Sequence, residues 1–137
     1  MKRILCIKVA WFIVAFITMT SWAYAQSQGT MNMEAGNGFV KADRELNIVY
    51  QKILKSYATQ PLFIKKFKAA QRLWIQLRDA ELEARYPDTG INNGSAEPMC
   101  KSIYLEKLTR ERIKFLRVWL TGIPEGDVCT GSVKMTR

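Results

Sequence analysis

Ala69-Ala70-Gln71-Arg72-Leu73-Trp74-Ile75-Gln76-Leu77-Arg78-Asp79-Ala80 is the stretch whose reading decides the fold. It lies inside a longer helical run, Pro61 to Arg85. At about 100° per residue, Ile64, Phe67, Ala70, Trp74, Ile75, Leu77 and Leu82 share one broad arc. Lys65, Lys68, Arg72, Gln76, Asp79 and Glu83 fill the opposite arc. Gln71 and Arg78 fall in the middle of the apolar arc, so the helix turns a guanidinium toward its neighbours. A cation in that position needs acceptors, because an unpaired buried charge is costly.

Two further helices supply those neighbours. Upstream, Phe39 to Tyr57 carries Phe39, Ala42, Leu46, Val49, Ile53 and Tyr57 on one arc, extended by Tyr50 and Leu54. Asp43 projects within that arc and Asn47 lies at its rim. Pro61 suits the first position of the second helix, where its missing N–H costs nothing. Thr59, or else Gln60, is the expected cap before it. Downstream, Pro98 to Leu120 lines up Tyr104, Leu105, Leu108, Phe115, Leu116, Trp119 and Leu120. Arg112 lies at the centre of this third arc and Thr109 near its edge. Gly122 and Pro124 end the helix in the usual order. The expected fold class is therefore all-α: a small bundle of three main helices with an extended C-terminal tail, residues 121–137.

The N-terminus reads as a targeting segment. Met1-Lys2-Arg3 is followed by an apolar run from Val9 to Met19, and Ala23-Tyr24-Ala25 offers small residues where a signal peptidase reads. This pattern predicts a signal peptide over residues 1–25, cut after Ala25, and hence a periplasmic or secreted protein. An uncleaved anchor is the alternative, although the run is short for a membrane span. Residues 26–38, rich in Ser, Gly, Asn and Met, read as a flexible lead-in. Residues 39–137 then form one domain with its core in 40–120, a size that suits a single core.

The chain has 21 Lys and Arg against 12 Asp and Glu, a net charge of +9. Removing the segment with Lys2, Arg3 and Lys8 leaves it basic. Such a charge serves solubility or contact with acidic partners; nucleic acid is not expected, because the signal directs the chain away from it. With 0 histidines, the commonest general base and the commonest metal ligand are both missing. No Gly-rich phosphate loop is present. Neither an enzyme, a cofactor nor a metal is expected.

Cys100 and Cys129 remain after cleavage, and an even count in an exported chain suggests a disulfide. An intrachain bond would close a loop of about 30 residues and stabilise by roughly 3–4 kcal/mol. It demands a tail laid back along the third helix, since that helix rises about 30 Å between Cys100 and Leu120. An intermolecular bridge is the competing reading.

The inward polar groups point to a shared network. Asp43 is expected to accept from Arg78, Arg112 or both, with Asn47 and Gln71 taking remaining donors. The one long loop, Pro87 to Glu97, is made of turn residues, and such loops carry contacts with partners. Its candidate contact residues are Asp88, Asn92, Asn93, Gly94, Ser95 and Glu97.

The ordered set Ala42-Asp43, Leu46-Asn47, Tyr50, then Ala70-Gln71, Trp74, Arg78-Asp79-Ala80, then Gly94-Ser95, Cys100, then Leu108-Thr109, Arg112, Leu116 resembles the LprI-like lysozyme-inhibitor domain family. These are small exported bacterial domains. The resemblance spans about Val40 to Leu120. Many relatives carry a cysteine shortly after the Arg-Asp-Ala motif. Leu82 stands there in this chain, so the resemblance implies that Cys129 replaces the usual partner of Cys100. It also implies an inhibitor of a peptidoglycan-cleaving enzyme such as lysozyme, with the loop offering donors to the carboxylates of the enzyme's cleft. The competing reading is a periplasmic interaction module without catalysis. That module would bind an acidic envelope protein or anionic polymer through Lys65, Lys68 and Arg72, with Lys66 nearby.

Overall fold

The computed structural model describes residues 2–90 and 94–136, with side chains from residue 27 onward. The expected signal segment and its cut after Ala25 lie outside the described side chains. Three helices make up the bundle: α1 (Lys2–Ser56), α2 (Pro61–Arg85) and α3 (Glu97–Thr121). Two short strands follow, β1 (Ile123–Pro124) and β2 (Met135–Thr136). Among the described residues no helix is long and apolar enough to cross a membrane.

The contacts fix the directions. Asn32 meets Ser95 and Glu45 meets Arg117, while Tyr57 meets Trp119, so α1 and α3 run the same way. Tyr57 stacks on Phe63 and Asp43 faces Arg78, so α2 runs against both. One end of the bundle therefore holds the α2–α3 loop. The other holds the α1–α2 turn and the tail.

α1 lies directly against α3, and α2 reaches them through long side chains. Leu46, Val49, Ile53, Tyr57, Phe67, Ile113 and Leu116 form the buried centre, with Tyr50, Leu54, Phe63, Ile64, Trp74 and Trp119 packed around it. An aromatic row holds α2 in place. Ring centroids are 4.5 Å apart for Tyr57 and Phe63, 5.2 Å for Phe63 and Phe67, and 5.7 Å for Phe67 and Trp119. Offset rings at these distances add to the burial of their area.

Four expectations change. First, residues 27–38 are helical, not a flexible lead-in. Gly29, Gly36 and Gly38 are poor helix formers, so tertiary contact must offset their cost. Asn32 Nδ2 donates to the Ser95 carbonyl at 3.0 Å, and Gly38 admits the Glu106 carboxylate so closely that a Cβ would collide with it. Second, the cap before α2 is Gln60, with no side-chain hydrogen bond.

Third, Cys100 and Cys129 are free thiols, so no disulfide ties the tail. α3 is helical from Glu97 onward, which leaves Cys100 about 28 Å of helix rise from Trp119. The tail stays beside Trp119, where Ser132 Oγ accepts from the indole N–H at 3.2 Å. A disulfide needs Cα atoms within about 7 Å. Fourth, the tail is tied instead by β1 pairing parallel with β2, which adds two short strands to the helical bundle.

Gly122 makes that turn possible. Its φ of 83° ends α3, and its bare Cα lets the Lys134 carbonyl and Thr136 pass close by. The Tyr57 hydroxyl donates to the Trp119 carbonyl at 3.2 Å and accepts from the Lys134 amide at 3.3 Å. Lys134 Nζ donates to Ser56 Oγ at 2.7 Å.

Candidate functional site

The loop end brings together the last turn of α2, the connection after it, the first turn of α3 and the α1 segment around Asn32. α2 ends because Pro87 disfavours helical backbone in the residue before it; Tyr86 still donates its N–H to the Leu82 carbonyl at 2.9 Å. The Arg85 guanidinium sits 4.6 Å from the Tyr104 ring and 5.8 Å from the Tyr86 ring. Hydrogen bonding to Tyr86, then charge attraction there and at Tyr104, raises its pKa above the ordinary value. This clasp joins the end of α2 to α3.

Beyond the clasp, Asp88 Oδ1 accepts the Gly90 amide at 3.1 Å, closing a short turn. Gly90 and Gly94 have φ of 69° and 88°, values that glycine adopts without strain. The Asn32 bond to Ser95 then fixes the return of the loop on α1. Asn92 and Asn93 lie outside the described residues. Glu97 forms an ion pair with Lys101 at 2.6 Å, so its charge is already partnered. Leu82, Glu83, Tyr86, Pro87, Asp88 and Lys101 line an open cleft of ≈ 460 Å³ here. Glu81, Glu83 and Asp88 are exposed and form no ion pair among the described residues. The end of the molecule that carries the loop is thus locally acidic, although the chain is basic.

The inward polar groups divide into two sets along α2. Arg78, whose side chain is only 12% exposed, is 3.6 Å from Asp43. Its closer carboxylate is Asp79, which accepts from Nε at 2.9 Å and from Nη2 at 2.8 Å. Asn47 Nδ2 donates to Asp43 at 3.4 Å. Arg112 does not reach Asp43. Its Nε donates to the buried Gln71 side chain at 3.0 Å, and burial lowers its pKa. Trp74 lies between the two cations, 5.5 Å from each guanidinium carbon, with Phe39 beside Arg78 and Phe115 beside Arg112. Aromatic faces thus do for Arg112 what a carboxylate does for Arg78.

Several contributors were not legible as such. Asp79 falls on the outward arc by periodicity, yet its arginine neighbour in sequence bends back to it. Glu45 accepts from Arg117 and forms an ion pair with Arg110 at 3.6 Å, joining α1 to α3. Thr109 is fully buried, and its hydroxyl has no hydrogen-bond partner among the described residues. Lys65, Lys66, Lys68 and Arg72 are all exposed and form no ion pair among the described residues. Among the described residues no group of three or more acidic or cysteine side chains is placed to hold a metal ion.

A family model described as lysozyme inhibitor LprI matches residues 20–116 of the chain. No curated protein and no solved structure matches it.

Proposed function

Because this chain belongs to the lysozyme inhibitor LprI family, we propose that it is an exported inhibitor of a peptidoglycan-cleaving enzyme such as lysozyme, acting through its loop end. The observation that carries this reading is the local charge of that end. Glu83 and Asp88 line the cleft and Glu81 stands exposed half a turn before Glu83 on α2, all three without intramolecular ion pairs among the described residues. Common lysozymes are basic, and a net positive chain is steered away from them at long range. A locally acidic end reverses the sign of the field where the two surfaces meet.

The division of labour follows from chemistry. A glycoside hydrolase of this type works with two carboxyl groups in a cleft. Donors suit those groups: Asn92, Asn93, the Ser95 hydroxyl and the Gly94 backbone supply them. Asp88 and Glu83 suit cationic groups on the cleft rim. Glu97, held by Lys101, contributes by fixing the first turn of α3. The Asn32–Ser95 bond and the Arg85–Tyr104 stack hold the loop's two ends before contact, which lowers the ordering cost of binding.

The test is lysis of bacterial cell walls by lysozyme with and without the purified protein. The reading expects clearing to slow as the protein is added, and Glu83→Lys with Asp88→Lys to weaken that effect by tenfold or more. Undiminished lysis at micromolar excess of the protein rejects lysozyme as the target.

A further inference from the structure

The outward face of α2 combines two features, and only Glu81 and Glu83 at its end are shared with the loop-end reading. The first is an uncovered apolar stripe. Leu62, Leu73 and Leu77 are 70%, 65% and 55% exposed. Ala69, Ala80 and Ala84 continue the same line, and at 100° per residue the six fall within an arc of about 80°. Lys66 is the one charged residue inside it. Sequence periodicity assigns Leu77 to the inward side, but the helix turns Phe67 and Gln71 inward and leaves Leu77 in solvent.

The second feature is the order of charge along the helix. Lys65, Lys66, Lys68 and Arg72 occupy its first half; Glu81 and Glu83 occupy its last turns, where the one basic residue of the final turn, Arg85, is drawn onto the Tyr104 ring. None of the other six forms an ion pair among the described residues. Nor does the order serve the helix itself, since a carboxylate in the last turn opposes the macrodipole. A surface that is positive at one end, negative at the other and apolar along its middle is complementary to itself turned through 180°.

We infer that the outer face of α2 is a self-association surface on which a second copy of this chain docks antiparallel. With the twofold axis at Leu73, residue 73 + n of one copy lies beside residue 73 − n of the other. Leu77 then meets Ala69 and Leu62 meets Ala84, large against small, while Leu73 packs on its own counterpart at the axis. The Lys65–Lys66 level meets the Ala80–Glu81 level, with Glu83 one turn away. An α2 stripe roughly 37 Å long and 10 Å wide offers about 370 Å² per copy. That is under half the roughly 800 Å² per partner of a standard interface, so the pair is a weak, reversible one. The two loop ends point away from each other, and Asp88 with the α2–α3 connection lies beyond the paired stretch in both copies.

The test is sedimentation equilibrium of the whole protein from about 1 to 200 μM, with two charge-reversed variants. Lys65→Glu with Lys66→Glu puts acid where the partner's Glu81 docks, and Glu81→Lys with Glu83→Lys puts base where the partner's Lys65 and Lys66 dock. All four positions are exposed, and circular dichroism checks that both variants keep their helices. The wild type is expected to dimerise with rising concentration, more weakly at high salt. Each variant alone is expected to stay monomeric at tenfold higher concentration, and an equimolar mixture to form a heterodimer tighter than the wild-type pair. A wild type that is monomeric throughout overturns the inference, as does a dimer insensitive to both reversals. Both results are read from oligomeric state alone, and because Glu83 also belongs to the loop-end surface, lysis is compared only between wild type and Lys65→Glu with Lys66→Glu.

Discussion

Replacing Tyr57 by Phe isolates the device that holds the tail. The Tyr57 ring is 1% exposed and stacks on Phe63 at 4.5 Å, so Tyr57→Phe leaves the packing and creates no cavity. It deletes one oxygen that serves two backbone groups: the Trp119 carbonyl, in the last turn of α3, and the Lys134 amide. The carbonyl is one of the four at a helix end with no partner inside the helix. Each bond is long, 3.2 and 3.3 Å, and a neutral hydrogen bond contributes about 0.5–1.5 kcal/mol net. The expected loss is therefore about 1–3 kcal/mol. At about 2 kcal/mol a domain of this size melts roughly 8–16 °C lower. Circular dichroism melts measure the stability, and amide exchange measures the place: Ile123 and Lys134 should lose protection, while Ile53 and Leu116 keep theirs relative to global unfolding. A melting temperature within 1 °C of wild type, or unchanged exchange in the tail, refutes the assignment.

Three more outcomes follow from the same contacts. Thr109→Val removes a fully buried hydroxyl that has no partner among the described residues while keeping its shape, so stability should rise by about 1 kcal/mol; a lower melting temperature contradicts this. Asp43→Asn should cost under about 1 kcal/mol, because Asp43 is 44% exposed and Arg78 keeps Asp79; thermal melts showing a loss of 3 kcal/mol or more would make Asp43 the dominant counter-ion. Reductant should leave the melting temperature unchanged, and thiol labelling of the folded protein should modify the exposed Cys129 quickly; a drop on reduction would reveal a bridge.

The sequence reveals the helices well because their signals are local. Pro61 starts α2, Pro87 stops it, and Gly122 ends α3, all from backbone chemistry that needs no partner. It reveals less about which part of an arc is buried. Leu77 and Ile75 read as inward but are 55% and 40% exposed, since α2 meets the bundle through aromatic side chains along a narrower line. Polar residues 27–38 read as flexible because composition does not show the Ser95 carbonyl or the Glu106 carboxylate that α1 meets there. The cysteine pairing failed for a geometric reason: spacing along the chain allows a bond that the tail's own strand pairing prevents. In the candidate site, Asp88 and the glycines announce a turn, but the Arg85–Tyr104 clasp joins residues 19 positions apart and has no local signature.

Hydrogen exchange on the protein mixed with lysozyme tests the proposed contact directly. The account expects added protection at Tyr86 to Glu97 and in the last turn of α2, with α3 near Trp119 unchanged. A complex whose protection avoids the loop end, or no protection at concentrations that slow lysis, would contradict it.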